Sequence, residues 1–157
     1  MENNYWDFKD LIVTTRQEKE KLLAYEIWMF RETCAQITAN CSSNQFEINL
    51  LLESLSVHTR LLLDFFYNDL FYKFGGGKDR LNKNDIIAQD FLSNNSWIGE
   101  RPKLTQTLRD AREKANKQLA HLSTWRIKIE SDGKKSWEWA KIHEDMEKVI
   151  AKFESLK

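Results

Sequence analysis

The chain has 157 residues, with 24 Lys and Arg against 24 Asp and Glu, so its formal net charge is zero. A neutral chain is not expected to coat nucleic acid or membranes through the field of its whole surface, although a local basic patch fits this balance. One Pro and five Gly leave few residues for the many turns of a β fold, so the composition predicts one helical domain over residues 1–157.

The first two predicted helices carry apolar residues at helical spacing. Helix 1 is expected over residues 16–40, with a stripe that steps by three and four residues, as in an antiparallel bundle. Tyr25 and Trp28 lie off this stripe and indicate a second contact surface. Helix 2 is expected over residues 45–72, capped by Asn44, and it is apolar on most sides, which is typical of a central helix. The stripe of helix 1 consists of Leu23, Ile27, Phe30, Cys34, Ile37 and Cys41.

A long connection is predicted between the second helix and the third. Residues 84–91 should form a short helix capped by Asn84 and Asp85, and residues 97–98 a loop that folds back on the core. Pro102 favours the start of the third long helix, expected over residues 103–125. Its apolar stripe consists of Leu104, Leu108, Ala111, Ala115, Leu119 and Leu122.

The last part of the chain predicts a small hairpin at residues 127–133, where Asp132-Gly133 forms the turn. Ser136 is then expected to cap the last helix, which carries an apolar stripe from Trp139 to Leu156. The predicted fold is therefore an all-α, antiparallel bundle of four to five helices, with a long connection between helices 2 and 3 and a small hairpin before the last helix.

Polar residues form a line along the otherwise apolar helix 2. Arg60 and Asp64 are four residues apart, which suits an ion pair on one helix face. On a central helix this pair either locks helix packing or lines a cleft in which Arg60 binds an anion and Asp64 orients it. Glu53, on the same line, and His58, on another side of the helix, are further candidate binding residues. The line consists of Glu53, Ser56, Arg60, Asp64 and Tyr67.

Helix 3 contains a second polar feature, Asn116 and His121. Asn is a mediocre helix former, so helix building alone does not account for this pair. His121 is either a packed imidazole, fixed by neighbouring hydrogen-bond partners, or a catalytic group. Arg112 lies one turn before Asn116 and is the third candidate. We expect Asn116 and His121 to face the polar line of helix 2 across a cleft or a dimer seam.

Cysteine and histidine spacing predicts neither a disulfide nor a metal site. Two turns of helix place Cys34 and Cys41 about 10 Å apart, so buried thiols are expected. The three His and two Cys show no zinc-ligand spacing, and no cofactor motif is present, so no metal and no cofactor are predicted. With no apolar run of membrane-spanning length, the chain is expected to be cytoplasmic and without membrane association.

Three segments carry a resemblance that extends over most of the chain: LLESLSVHTRLLLDFFY, NDIIAQDF and DAREKANKQLAHLSTWR. They resemble a widespread family of bacterial helical proteins for which no activity is established. The helical layout and the late polar motif also resemble the HEPN superfamily (higher eukaryote and prokaryote nucleotide-binding domains), whose motif is an Arg, a following polar residue such as Asn, and a His further along. Here Asn116 matches the polar position and His121 the His, whereas Ala115 stands where the Arg is expected.

The HEPN resemblance implies a small, often dimeric helical bundle, in many cases a metal-independent RNase of toxin–antitoxin or phage-defence systems. In such an RNase His121 would act as general acid or base, and Arg112 or Arg60 would stabilise the phosphate. Asn116 would position His121 or the phosphate. Because Ala115 breaks the motif, a non-catalytic module that binds a nucleotide, RNA or a protein is the first hypothesis, with a homodimer expected. An active RNase and a purely structural oligomerisation protein, with these polar groups in its core, are the alternatives.

Overall fold

The computed structural model describes residues 14–39, 44–72, 85–92, 96–119 and 137–157. Within these ranges the chain is helical, without a strand, so the predicted all-α class is confirmed. Helix 2 has its predicted bounds. The elements are α1 (Arg16–Ala39), α2 (Gln45–Tyr72), a 3-10 helix (Ala88–Phe91), α3 (Ser96–Glu100), α4 (Gln106–Leu119) and α5 (Trp139–Leu156).

Side-chain caps account for where α1 and α2 begin. Thr15 Oγ1 accepts the Glu18 amide at 3.2 Å while Glu18 Oε2 accepts the Thr15 amide at 2.7 Å, which is a reciprocal capping box. Asn44 Oδ1 accepts the Glu47 amide at 3.1 Å, as predicted. Each cap satisfies an amide that has no partner inside its helix, and therefore sets the first turn.

The third long helix begins at Gln106, so the predicted start at Lys103 is wrong. Thr105 Oγ1 accepts the Leu108 amide at 3.3 Å, and this capping bond defines the start of α4 three residues later than the position after Pro102 suggests. The predicted continuation of this helix to Trp125 lies outside the described residues.

Neighbouring long helices run antiparallel. Thr33 on α1 meets Ser54 on α2 at 3.0 Å, whereas Glu26, earlier on α1, meets His58, later on α2, at 2.6 Å. The contacts of α5 with α4 and with α1 show the same antiparallel direction. The four long helices α1, α2, α4 and α5 therefore form an antiparallel bundle. The pairs that show it are Thr105–Asp145, Lys114–Trp137, Arg31–Glu147 and Glu20–Lys157.

Phe153 on α5 lies at the centre of an aromatic cluster in the core. Its ring centroid is 5.4 Å from those of Phe66 and Trp97, 5.5 Å from that of Phe65 and 5.9 Å from that of Phe91. These contacts are edge-on, the geometry that aromatic quadrupoles favour. The cluster joins α2 and α5 to the connection, and the predicted core stripes of α1 and α5 point into the same core.

The connection is anchored on a kink of α2 at Tyr67, whose φ of −126° and ψ of 26° are not helical. Just before the kink, the Phe66 carbonyl accepts the Trp97 indole N–H at 2.7 Å and Arg101 Nη1 at 3.3 Å. Arg101 also forms a two-pronged salt bridge with Asp69. Side-chain donors thus satisfy an oxygen at the point where the helix geometry breaks.

Two local predictions in the connection are wrong. Trp97 and Ile98 lie in the short helix α3 rather than in a loop, and the Arg101 amide donates to the Trp97 carbonyl at 2.8 Å. The segment does fold back on the core, as predicted, because Trp97 is fully buried and its indole donates to the Phe66 carbonyl. The short helix around residue 86 is a 3-10 turn that begins at Ala88, where Asp90 Oδ2 accepts the Ile87 amide at 3.3 Å. The proposed hairpin, Cys41, and the caps at Asn84 and Ser136 lie outside the described residues.

Candidate functional site

Asp64 on α2 joins two of the predicted site residues. Arg112 Nε on α4 donates to Asp64 Oδ1 at 2.7 Å, and Arg60 Nε lies 3.7 Å from Oδ2 of the same carboxylate. The predicted pair of Arg60 and Asp64 is therefore present, with a third member from the neighbouring helix. We call Arg60, Asp64 and Arg112 the arginine cluster; it holds two formal positive charges and one negative.

The two arginines of this cluster have different environments. The Arg112 side chain is 15% exposed, and its guanidinium carbon lies 3.9 Å from the centroid of the Phe71 ring, within cation–π range. The Arg60 side chain is 42% exposed. Arg112 is thus held by a carboxylate and an aromatic face, whereas Arg60 is the member that solvent reaches. The cluster lies at the α2–α4 contact rather than deep in the core.

Ala115, where the HEPN resemblance leads one to expect an arginine, faces the core. Ala115 is only 1% exposed, so a side chain longer than Ala would meet packed neighbours there. Asn116 is half-buried on α4, one turn after Arg112. His121 lies outside the described residues, so its relation to Arg112 and Asn116 stays a prediction.

The other residues of the polar line form hydrogen bonds to backbone carbonyls or lie in solvent. Ser56 donates to the Leu52 carbonyl at 2.7 Å, and Tyr67 donates to the Pro102 carbonyl at 2.9 Å. Glu53 is exposed. The line is therefore not one continuous site, and Asp64 is the member that bonds a side chain of α4.

His58 is placed on the α1 side of α2, away from α4. Its Nδ1 lies 2.6 Å from Glu26 Oε2, and its ring is 6.3 Å from that of Tyr25 in an edge-on contact. With the residue 8% exposed, His58 and Glu26 form a polar contact within the α1–α2 packing. The candidate binding residues thus divide between two sides of one helix.

A groove that the sequence did not indicate lies between α1, α2 and residues 85–87. It has a volume of about 310 Å³ and combines an apolar lining with the carboxylates of Glu26, Asp64 and Asp85. Its apolar side chains are those of Leu22, Leu23, Leu61, Leu62, Phe65, Ile86 and Ile87. Asp64 lines this groove and is also a member of the arginine cluster, so the groove opens beside that cluster.

Large apolar side chains are exposed on the outer surface of α1 and α2. Leu22 and Leu61 line the same groove, and Tyr25 contacts His58, so the surface continues from one helix to the other. We call this surface the α1–α2 apolar face. Its members and their exposed fractions are Leu22 (52%), Tyr25 (48%), Phe46 (69%), Leu50 (50%), Val57 (46%) and Leu61 (46%). The apolar character of helix 2 on most sides was the sequence signal for it.

The two resolved pKa shifts in the interior do not create a nucleophile. Burial raises the pKa of the Cys34 thiol and that of the Tyr67 hydroxyl, each to about 12. Both groups therefore stay protonated at neutral pH, unlike an activated nucleophile, whose pKa is lowered. Among the described residues no group of three or more His, Cys, Asp or Glu could hold a metal ion, and no helix is long and apolar enough to cross a membrane.

Comparison of the chain with protein-family models, with curated proteins and with solved structures finds no match. Function is therefore inferred from the geometry of the described residues.

Proposed function

We propose that this chain is a non-catalytic helical module that docks a protein partner on its α1–α2 apolar face. The observation that carries this proposal is the distribution of exposed large apolar side chains. Among the described residues eight large apolar side chains are exposed, and seven of them lie on α1 and α2. These seven are the six members of the face and Trp28, which lies beside Tyr25. The eighth is Ile98. Large apolar side chains exposed together on two packed helices indicate a surface that another protein covers, because leaving them in water is unfavourable.

The surroundings of the face support a protein interface. The arginine cluster and the carboxylates of the groove lie at its edge, and a polar rim around an apolar centre is the usual arrangement of such surfaces. The Arg60 side chain is 42% exposed, so it can contact a partner without any rearrangement of α2. Arg112 holds Asp64 in place, so the rim is presented on a rigid support.

A photoreactive amino acid at Val57, in the protein expressed in its own cells, tests this proposal. Val57 lies on the face, and the matched control is the same amino acid at Lys141, an exposed position of α5. We expect cross-linked protein adducts from position 57 that are absent from position 141 and that decrease when Leu50→Arg is added. Failure of position 57 to cross-link any protein, in a folded variant, contradicts the docking function.

The second candidate is a metal-independent RNase that uses His121 with Arg112 or Arg60. The meeting of these two arginines at Asp64 favours it, because a guanidinium close to the scissile phosphate would stabilise its developing charge. An RNase of this kind agrees with the HEPN resemblance, and it would act as a toxin or a phage-defence protein in the cytoplasm.

RNA cleavage by purified wild type and by His121→Ala separates the two candidates. A nuclease cleaves RNA as wild type and loses the activity as His121→Ala, with an unchanged thermal melt. Arg60→Ala is the companion variant, since Arg60 is the more exposed arginine of the cluster. Absence of cleavage by the wild type contradicts the RNase and leaves the docking function as the sole proposal.

A further inference from the structure

The groove between α1, α2 and residues 85–87 contains a buried polar side chain without a partner in the described part of the fold. Asn68 on α2 is 5% exposed and lines this groove. No hydrogen bond joins its side-chain amide to another described residue. Nearly all buried polar groups in proteins are hydrogen-bonded, because desolvating an unpaired amide is unfavourable. The Asn68 amide therefore indicates that a molecule in the groove supplies its partner.

The groove is elongated, with polar side chains at its two ends. Glu26 lies near one end, because it contacts His58, and His58 precedes Leu61, the first residue of α2 in the lining. Asn68 is the last residue of α2 in the lining. The seven residues from Leu61 to Asn68 span about 10 Å along the helix. A molecule that contacts both Glu26 and Asn68 is therefore elongated as well.

The lining between these ends is mostly apolar. Leu62 and Phe65 contribute to it from α2, Leu23 from α1 and Ile86 from the connection. Water forms few hydrogen bonds against such walls, so an apolar chain that displaces it is favoured. The groove volume of about 310 Å³ is at the lower end of the range for ligand pockets, which suits a small molecule.

The charged side chains of the lining favour a cation over an anion. Glu26, Asp64 and Asp85 contribute carboxylates. Lys19 is the one basic residue of the lining within the described part of the chain, and its Nζ lies 3.5 Å from Asp90 Oδ2, which offsets its charge. The carboxylates would repel an anionic end group and attract an ammonium group.

Glu26 is the carboxylate best suited to bind that cation. The charge of Asp64 is already offset by Arg112 and Arg60. Glu26 meets His58 through Oε2, and His58, unlike an arginine, carries no permanent charge. No hydrogen bond to another described residue uses Glu26 Oε1. The Glu26 side chain is 18% exposed, so its charge is screened less than that of a surface carboxylate.

We propose that the groove binds a small elongated molecule with an ammonium group at the Glu26 end, an apolar chain, and a neutral hydrogen-bonding group such as a hydroxyl at the Asn68 end. An ammonium group has three donors and no acceptor, which suits a carboxylate. A hydroxyl both donates and accepts, as the Asn68 amide does. This site goes beyond the docking function and does not depend on it.

Titration of the full-length, nitrogen-15-labelled protein with 8-amino-1-octanol, followed by NMR at pH 7, tests the site. Octylamine lacks the hydroxyl of this probe, 1-octanol lacks its ammonium group, and octanoate carries the opposite charge. We expect saturable shifts of the backbone amides of residues 61–68 and 85–87. The Kd of 8-amino-1-octanol should be at least about threefold lower than that of octylamine or 1-octanol, and octanoate should bind most weakly.

Two variants assign the two ends of the ligand. Asn68→Leu should remove the advantage of 8-amino-1-octanol over octylamine. Its Tm should not fall, because an apolar side chain of similar size replaces an unpartnered amide. Glu26→Gln keeps a hydrogen-bonding side chain beside His58 and should remove the advantage of 8-amino-1-octanol over 1-octanol. Glu144→Gln, at an exposed position of α5, is the control and should leave every Kd unchanged.

Several results would overturn this inference. Absence of saturable binding of 8-amino-1-octanol by the wild type excludes the site without recourse to any variant. Equal affinities for the four probes would show that the polar ends select nothing. A lower Tm of Asn68→Leu would show that the amide supports the fold instead of a ligand. None of these results bears on the docking function, which cross-linking at position 57 tests separately.

Discussion

Arg112 on α4 donates to Asp64 on α2 at 2.7 Å while its guanidinium lies 3.9 Å from the centroid of the Phe71 ring. A single side chain thus connects two helices through a carboxylate and an aromatic face. With side chains 15% and 21% exposed, Arg112 and Asp64 are poorly hydrated, and each offsets the other's buried charge. Asp64 also pairs with the more exposed Arg60. The contact between Arg112 and Asp64 therefore also helps to position Arg60.

Removal of the guanidinium by Arg112→Ala should lower the free energy of unfolding by about 1–3 kcal/mol, because Asp64 loses a charged hydrogen bond and Phe71 loses its cation. Urea denaturation measures this loss. Arg109→Ala, at an exposed position of the same helix, is the matched control and should change stability by less than about 0.5 kcal/mol. Equal effects of the two variants would show that the contact with Asp64 contributes nothing to stability.

Arg101→Ala should be more destabilising than loss of a surface ion pair. The Arg101 side chain is 8% exposed, is paired with Asp69, donates to the Phe66 carbonyl and lies over Tyr67. Its removal leaves a carboxylate that is 15% exposed, and we expect a loss of about 3 kcal/mol. Lys152→Ala, which breaks the exposed pair with Glu100, should cost less than about 1 kcal/mol in the same denaturation series.

Ala115→Arg, which restores the arginine expected from the HEPN motif, should destabilise the fold. Ala115 is 1% exposed, so the new side chain must displace packed neighbours or bury its charge, and a loss of about 3 kcal/mol or more is expected. The control is Asn116→Arg, at the adjacent half-buried position, which should be better tolerated. A stable Ala115→Arg variant with new RNase activity would contradict this prediction and favour the second candidate function.

Cys34 should resist thiol reagents in the folded protein. Burial raises its pKa from 9.0 to about 12, so the thiolate fraction at pH 8 falls roughly a thousandfold, and the thiolate is the reactive form. Reaction with a chromogenic disulfide, in a Cys41→Ser background, should be slow in buffer and fast in denaturant. Equal rates in the two conditions would show that Cys34 is accessible in the native fold.

Alkaline pH should reduce stability through Cys34 and Tyr67. Both pKa values are raised by burial, from 9.0 and from 10.0 to about 12, so the native state retains protons that the unfolded state releases. The stabilisation is complete below pH 9 and is lost as pH rises towards 12. Urea titrations should show the free energy of unfolding decreasing from pH 9 to pH 11. In Cys34→Ala with Tyr67→Phe this decrease should be smaller, and an unchanged slope would assign it to other groups.

Much of the helical framework could be predicted because helix periodicity is a local property of the sequence. The apolar stripes of α1 and α5 identified side chains that are buried, and Asn44 identified the start of α2. The spacing of Arg60 and Asp64 likewise predicted their pair. The start of α4 was wrong because the Thr105 hydroxyl caps the helix three residues later than Pro102 suggests. The helical turns at residues 88–91 and 96–100 were also not predicted correctly, because they are too short to show a helical period.

Two features of the candidate site depended on contacts between distant residues. Arg112 was a candidate from its place before Asn116, but only the packing of α4 on α2 brings it to Asp64, across 48 positions of the chain. The exposure of the α1–α2 apolar face likewise follows from which sides of two helices face the core. Most helices and the residue types on each side of them could be predicted because they depend on spacing along the chain. Which charges meet and which apolar sides stay in water depends on how the helices pack, and spacing along the chain does not give that packing.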